Sequence, residues 1–156
     1  MMGENTMKES LLKKLDMNNG LEVTLAMLKA YPMQYIGLIG LDGKPKVKAF
    51  EFKFEEKGVL YFDTIRNKET HLELEKNPYI EICVADNETM EWIRISGKVK
   101  FVEDQRIKER LFESSAILSK YYGDASNPDV LPFCLEEVTV QVSGLALNNK
   151  KYIYHL

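Results

Sequence analysis

The sequence predicts a mainly β protein of the α+β kind: a small antiparallel barrel of about six strands, with helices at its two ends and in one crossover. Three observations carry that expectation. Apolar residues alternate with polar ones, or run in short apolar blocks, over several stretches between Gln34 and Leu147. Turn signals at Asp42-Gly43 and Lys57-Gly58 join neighbouring stretches. Helical spacing is confined to the first thirty residues, to a short segment after Asn67 and to a longer one after Asp104.

Taken in order, "MKESLLKKLD" and "LEVTLAMLKA" read as two helical segments within about residues 7–30, broken at Asn18-Asn19-Gly20. Tyr31-Pro32 ends the second, because a residue before proline avoids the helical region. "QYIGLIG" is a short apolar strand, and Asp42-Gly43 tips the hairpin that follows it. "KVKAFEFKFEE" reads as one strand, with Lys46, Lys48, Phe50, Phe52 and Phe54 on one side and Val47, Ala49, Glu51 and Lys53 on the other. A second hairpin turns at Lys57-Gly58. Asn67 is the expected N-cap of a helix of about two turns. "PYIEICVA" is a strand, and "EWIRISGKVKFVE" is the clearest one, with Ile93, Ile95, Val99 and Phe101 alternating against Trp92, Arg94, Ser96, Lys98 and Lys100. Asp104 caps a helical region, "PFCLEEVTVQVSGLAL" is a further strand, and "NNKKYIYHL" an added edge or tail.

The chain has 156 residues, which suits one domain over 1–156. Its net charge of −3 argues against a general nucleic-acid binder, which carries a basic excess. The N-terminal "MMGENTMKES" lacks the apolar stretch of a signal peptide, and no apolar run is long enough to span a bilayer, so the expected location is cytoplasmic. Cys83 and Cys134 lie in apolar, strand-like runs and are expected to be reduced and buried. His71 and His155 stand far apart, with no metal-ligand spacing.

One stretch concentrates chemistry. In "TIRNKETHLELEKNP" a strand end carries Thr64, and Lys68 falls near the start of a helix. A helix N-terminus supplies free N–H groups and partial positive charge; a hydroxyl and an ammonium beside it suit a phosphate. The plain alternative is a solvated lysine, although its charge opposes the helix dipole there. Lys46 and Lys48, on the adjoining strand, are expected to converge with Thr64 and Lys68; otherwise they protect an exposed strand edge. Trp92 and Arg94 share the polar side of their strand, as interface residues or as part of a second layer.

The order "KPKVKAFEF … GVLYFDTIRNKETHLELEKNPYIEIC … EWIRISGKVKFVED" resembles the pyridoxamine 5′-phosphate oxidase-like proteins, from about Met27 to about Val142. The resemblance implies a six-stranded antiparallel split β-barrel with flanking helices, a homodimer, and FMN at the interface between subunits. It implies that Lys46, Val47 and Lys48 lie along the flavin and its ribityl chain. Thr64 and Lys68 would grip the phosphate with Asp63 and Asn67 nearby, and Trp92 and Arg94 would reach across from the partner. The implied activity is an FMN-dependent oxidoreductase that takes electrons from NADH or NADPH and reduces a small molecule such as a nitro compound, a quinone or free flavin. The alternative is a dimer that binds flavin, or another ligand such as haem, without turnover. Two departures stand out: the family often has arginine where Lys46 stands, and "NNKKYIYHL" has neither the tryptophan nor the arginine of the oxidases that make pyridoxal phosphate. Synthesis of that coenzyme is therefore not expected.

Overall fold

The computed structural model describes residues 6–156. Among them the chain forms β1 (Gln34–Ile39), β2 (Pro45–Phe50), β3 (Phe54–Glu56), β4 (Val59–Ile65), β5 (Tyr79–Ala85), β6 (Trp92–Phe101), β7 (Val130–Ser143) and β8 (Tyr152–His155). The helices are α1 (Gly20–Ala30), α2 (Glu69–Lys76), α3 (Gln105–Ser114) and α4 (Ala116–Tyr122). All strand pairs are antiparallel, in the order β2-β1-β5-β6-β7-β4-β3, with β8 also on β7. The ends of this sheet do not pair with each other, so it is a split barrel rather than a closed one.

Period-two alternation builds the core. Ile36, Ile82, Ile95 and Val140 are register partners across β1, β5, β6 and β7, and each is at most 1% exposed. Burying such a side chain contributes roughly 1.5–3 kcal/mol. Phe62 and Phe133 are partners on β4 and β7, with stacked rings 5.4 Å apart. The long β7 serves two parts of the sheet: its first half pairs with β4 and its second with β8. It bends between them, where Glu137 has φ +54° and β6 shifts register around Gly97. A Cβ on Gly97 would meet the Glu136 carbonyl at 3.2 Å, so the close approach at this bulge favours glycine.

Both hairpin turns form where the sequence placed them, with Gly43, Lys57 and Gly58 at positive φ. Helix α1 takes its cap from Asn19, whose side chain accepts from the Glu22 N–H. Asp104 caps α3 as expected, accepting from Arg106 and Ile107 N–H groups.

Several expectations need correction. The first segment is not a helix but a strap with one 3₁₀ turn at Leu12–Lys14, held by the side chain of Glu91. "KVKAFEFKFEE" is not one strand: pairing breaks at 51–53, and the Phe52 N–H bonds the Gln34 side chain instead. Lys68, not Asn67, is the N-cap of α2; Asn67 adopts φ +62° and gives its N–H to His71 Nδ1. The helical region after Asp104 is two helices, because Ser115 leaves the helical region and caps α4 through its hydroxyl. Among the described residues the six expected strands, β1, β2, β4, β5, β6 and β7, are joined by two short pieces, β3 and β8. Cys134 is buried, but Cys83 is exposed on the outward face of β5, and both are free thiols.

Candidate functional site

Strand β2 leaves its hairpin partner and strand β4 ends just where α2 begins, and α4 packs over the gap. The result is a cleft of about 410 Å³, within the range of small-molecule sites. Its polar wall includes Lys48, Glu51, Lys53, Asp63, Thr64, Lys68 and Thr70; Met33, Ile117, Leu118 and Tyr122 form an apolar wall.

Lys48, Asp63, Thr64 and Lys68 therefore meet, as the sequence suggested. Lys46 does not join them: it turns back to Asp42 at 3.1 Å on the hairpin tip. Val47 points to the outward face and is 74% exposed. Asn67 is adjacent through its backbone but does not line the cleft. Trp92 and Arg94 lie on the outward face of β6, away from this cleft. There the Arg94 guanidinium stacks 4.8 Å from the Trp92 ring and donates to Gln141 at 2.8 Å. Tyr35, Cys83, Arg94, Gln141 and Ile153 form one row across that face.

The lysines of the cleft differ in what they are free to do. Lys48 Nζ lies 2.6 Å from Glu73, 3.3 Å from Glu69 and 3.1 Å from Thr70 Oγ1. Burial would lower its pKa, but the two carboxylates outweigh this and the net shift is upward. Glu73 is almost wholly buried, so Lys48 rivets β2 to α2. Lys53 is held by Glu51 at 2.7 Å and Asp63 at 3.6 Å. Lys68 forms no ion pair among the described residues; its ammonium rests 3.4 Å from the Tyr122 hydroxyl. The first turn of α2 has no side-chain cap. Its N–H groups and the Lys68 ammonium are the donors still open to an anion beside Thr64.

His71, 4% exposed, accepts the Asn67 N–H at Nδ1 and faces Glu75 at Nε2, so both ring nitrogens are engaged within the protein. His155 contacts Thr139 at the sheet edge. Neither is presented to the cleft as a haem ligand would be. Among the described residues no cluster of three or more His, Cys, Asp and Glu has metal-binding geometry, and no helix is long and apolar enough to cross a membrane.

The sequence reading missed Glu51, Lys53 and Ser115, and the apolar wall of Met33, Ile117 and Leu118. A lysine set between Phe52 and Phe54 was the available signal for Lys53. Nothing local announced where α4 would pack.

Residues 23–143 match the family model described as pyridoxamine 5′-phosphate oxidase. No curated protein matches the chain. Solved structures share the fold at low identity. A NimC/NimA family protein from Clostridium acetobutylicum superposes with a TM-score of 0.78 at 20% identity, covering 96% of this chain and all of that one. A protein from the same organism, related to general stress protein 26 of Bacillus subtilis, gives 0.70 at 19% identity, over 91% and 97% of the two chains. A pyridoxamine 5′-phosphate oxidase-related, FMN-binding protein from Nostoc punctiforme gives 0.66 at 14% identity, over 88% and 97%.

Proposed function

The chain belongs to the pyridoxamine 5′-phosphate oxidase family, and from that premise we propose that it is an FMN-binding oxidoreductase whose cleft holds the cofactor phosphate at the start of α2. The observation that carries this reading is the uncommitted donor set there: the Lys68 ammonium, without a carboxylate partner among the described residues, the uncapped first turn of α2, and Thr64 beside them. Charge-assisted hydrogen bonds contribute about 1.5–3 kcal/mol each, enough for three of them to retain a phosphate monoester. The likeness to an FMN-binding protein of the same fold also supports it.

Bound flavin would supply hydride chemistry, and the protein then needs only to bind, orient and screen. In this reading Lys68 and Thr64 fix the phosphate, and Lys48, braced by Glu73, keeps β2 and α2 at the spacing the phosphate requires. Met33, Ile117, Leu118 and Tyr122 keep water from one side of the cleft. The whole chain acts as one FMN-binding unit, and a second copy covers the outward face. Tyr35, Val47, Tyr79 and Ile153 are each more than half exposed there, an unusual apolar share for a lone sheet face. Trp92 and Arg94 lie on that face, suited to reach the partner's cofactor, and small acceptors reduced by NADH or NADPH are the expected substrates.

The test is flavin absorbance per chain after FMN is added and the protein desalted, followed by anaerobic NADH or NADPH and then a quinone. Retention near one FMN per chain, bleaching by nicotinamide and recovery with the quinone support the enzyme. Retention without bleaching leaves a flavin-binding dimer. No retention removes the reading, as does a holo form that sediments as a monomer.

A further inference from the structure

The same cleft holds a second polar cluster. The Lys53 side chain, 7% exposed, places its ammonium 2.7 Å from Glu51, 3.3 Å from Ser115 Oγ and 3.6 Å from Asp63. Glu51 is the more exposed carboxylate, at 42%, and Asp63 the more hidden, at 14%. The lysine is thus drawn to the outer acid and leaves the inner one beyond ordinary hydrogen-bond length. Burial pushes the Asp63 carboxyl up, and the Lys53 charge offsets only part of that, while Glu51 adds to it. Lys48, Lys68 and Tyr122 face the same cleft from β2, α2 and α4, but Lys48 is committed to Glu73 and Glu69. A hidden, weakly paired carboxyl that opens onto a ligand cleft is a group placed to hold a proton and release it.

We propose that Asp63 is the proton donor of this cleft, and that Lys53, anchored by Glu51 and Ser115, is the positioning residue that sets how readily the proton leaves. The proposal rests on the FMN reading of the site and names what that reading lacks. A quinone taken to its hydroquinone gains two electrons and two protons. The hydrogen of the reduced nicotinamide supplies both electrons and one proton, leaving the oxidised nicotinamide. Asp63 supplies the second proton, its O–H bond breaking as the acceptor's O–H bond forms, and solvent reprotonates the carboxylate through the open cleft. Acceptors that must be protonated as they are reduced are therefore the favoured class.

Two readouts test this. Carbon NMR of the Asp63 carboxyl in the FMN-free chain is expected to titrate above the ordinary carboxylate range, and Lys53→Met to move the midpoint further up. With FMN and NADH supplied, the ratio of 1,4-benzoquinone turnover to ferricyanide turnover is expected to fall ten-fold or more in Asp63→Asn. Ferricyanide takes one electron and no proton, so the ratio isolates proton delivery, and general acids typically contribute about 10²–10⁴-fold. Asp63→Glu should recover part of the ratio. An Asp63 midpoint in the ordinary range overturns the proposal, with or without FMN bound. So does an unchanged ratio in Asp63→Asn when flavin is retained. A chain that retains no flavin removes the FMN reading itself, a failure visible in the absorbance and separate from the other two.

Discussion

Asp86 and Asp63 are both hidden aspartates, and the protein treats them in opposite ways. Asp86, 3% exposed, receives the Lys8 ammonium, the Tyr31 hydroxyl at 2.8 Å, and the Glu88 and Thr89 N–H groups at 2.8 and 2.9 Å. Burial would raise its pKa, but those donors outweigh it and hold the carboxyl well below its usual range. The same bond, with burial as the larger cause, pushes the Tyr31 hydroxyl up to about 12. Among the described residues Asp63 has only Lys53 at 3.6 Å, and its pKa moves up. Neighbouring Glu91, fully buried, repeats the Asp86 pattern by holding Ser10 and the N–H groups of Leu11 and Leu12. A carboxylate saturated with donors is a fastener; one left short of donors in a cleft wall has chemistry still to do.

The comparison can be broken by mutation. Asp86→Ala should have the largest effect: it strands four donors, Lys8 on the N-terminal strap, Tyr31 after α1 and the Glu88 and Thr89 N–H groups of the β5–β6 turn, and is expected to cost about 3–4 kcal/mol in urea unfolding. A loss below about 1 kcal/mol would show that Asp86 is no fastener. Lys48→Ala comes next, at about 2–3 kcal/mol, because it leaves the Glu73 carboxylate buried without its partner. Lys48→Ala, Glu73→Gln should recover much of that loss, which separates a rivet from a phosphate ligand.

Asp63→Asn should run the other way. A group whose folded pKa is raised favours folding below its unfolded pKa, and that favour is lost as pH rises through the folded value. The neutral amide escapes the loss, so the variant should match wild type near pH 3 and be the more stable of the two at pH 7. At Asp86 the sign is reversed: its contribution is present above about pH 4 and fades as pH falls. The smallest effect belongs to Glu56, which Arg106 and then Arg110 hold down to about 2. Its contribution is present above the unfolded value of about 4.5, declines as pH falls toward 2, and should weaken in salt because the cluster is at the surface. A chemical denaturation series in pH and salt reads it.

The same contrast explains what the sequence could disclose. Hairpins at Asp42-Gly43 and Lys57-Gly58, the alternation from Trp92 to Phe101 and the cap at Asp104 are local properties, and each appears where local chemistry put it. Thr64, Lys48 and Lys68 were legible because strand and helix order brings their backbones together. Lys46 was misplaced because same-face alternation does not say which partner a long side chain prefers, and Asp42 was nearer. The strap was read as helix because Leu11, Leu12 and Leu15 have helical spacing, while the group that holds the first two, Glu91, is some eighty residues away. Lys53 and α4 were invisible for the same reason: their roles are set by tertiary contacts with Glu51, Asp63 and Ser115.

The claim at the centre of this account is that the start of α2 grips a phosphate. Equilibrium binding of FMN and of riboflavin, which lacks the phosphate, tests it in the wild-type chain, in Lys68→Ala and in Lys100→Ala as a control outside the cleft. The account predicts that wild type and Lys100→Ala bind FMN at least a hundred-fold more tightly than riboflavin, and that Lys68→Ala lowers this preference ten-fold or more, the effect of one charge-assisted bond of about 1.5–3 kcal/mol. Equal affinity for the two flavins in the wild-type chain, or the same preference in all three proteins, would contradict it.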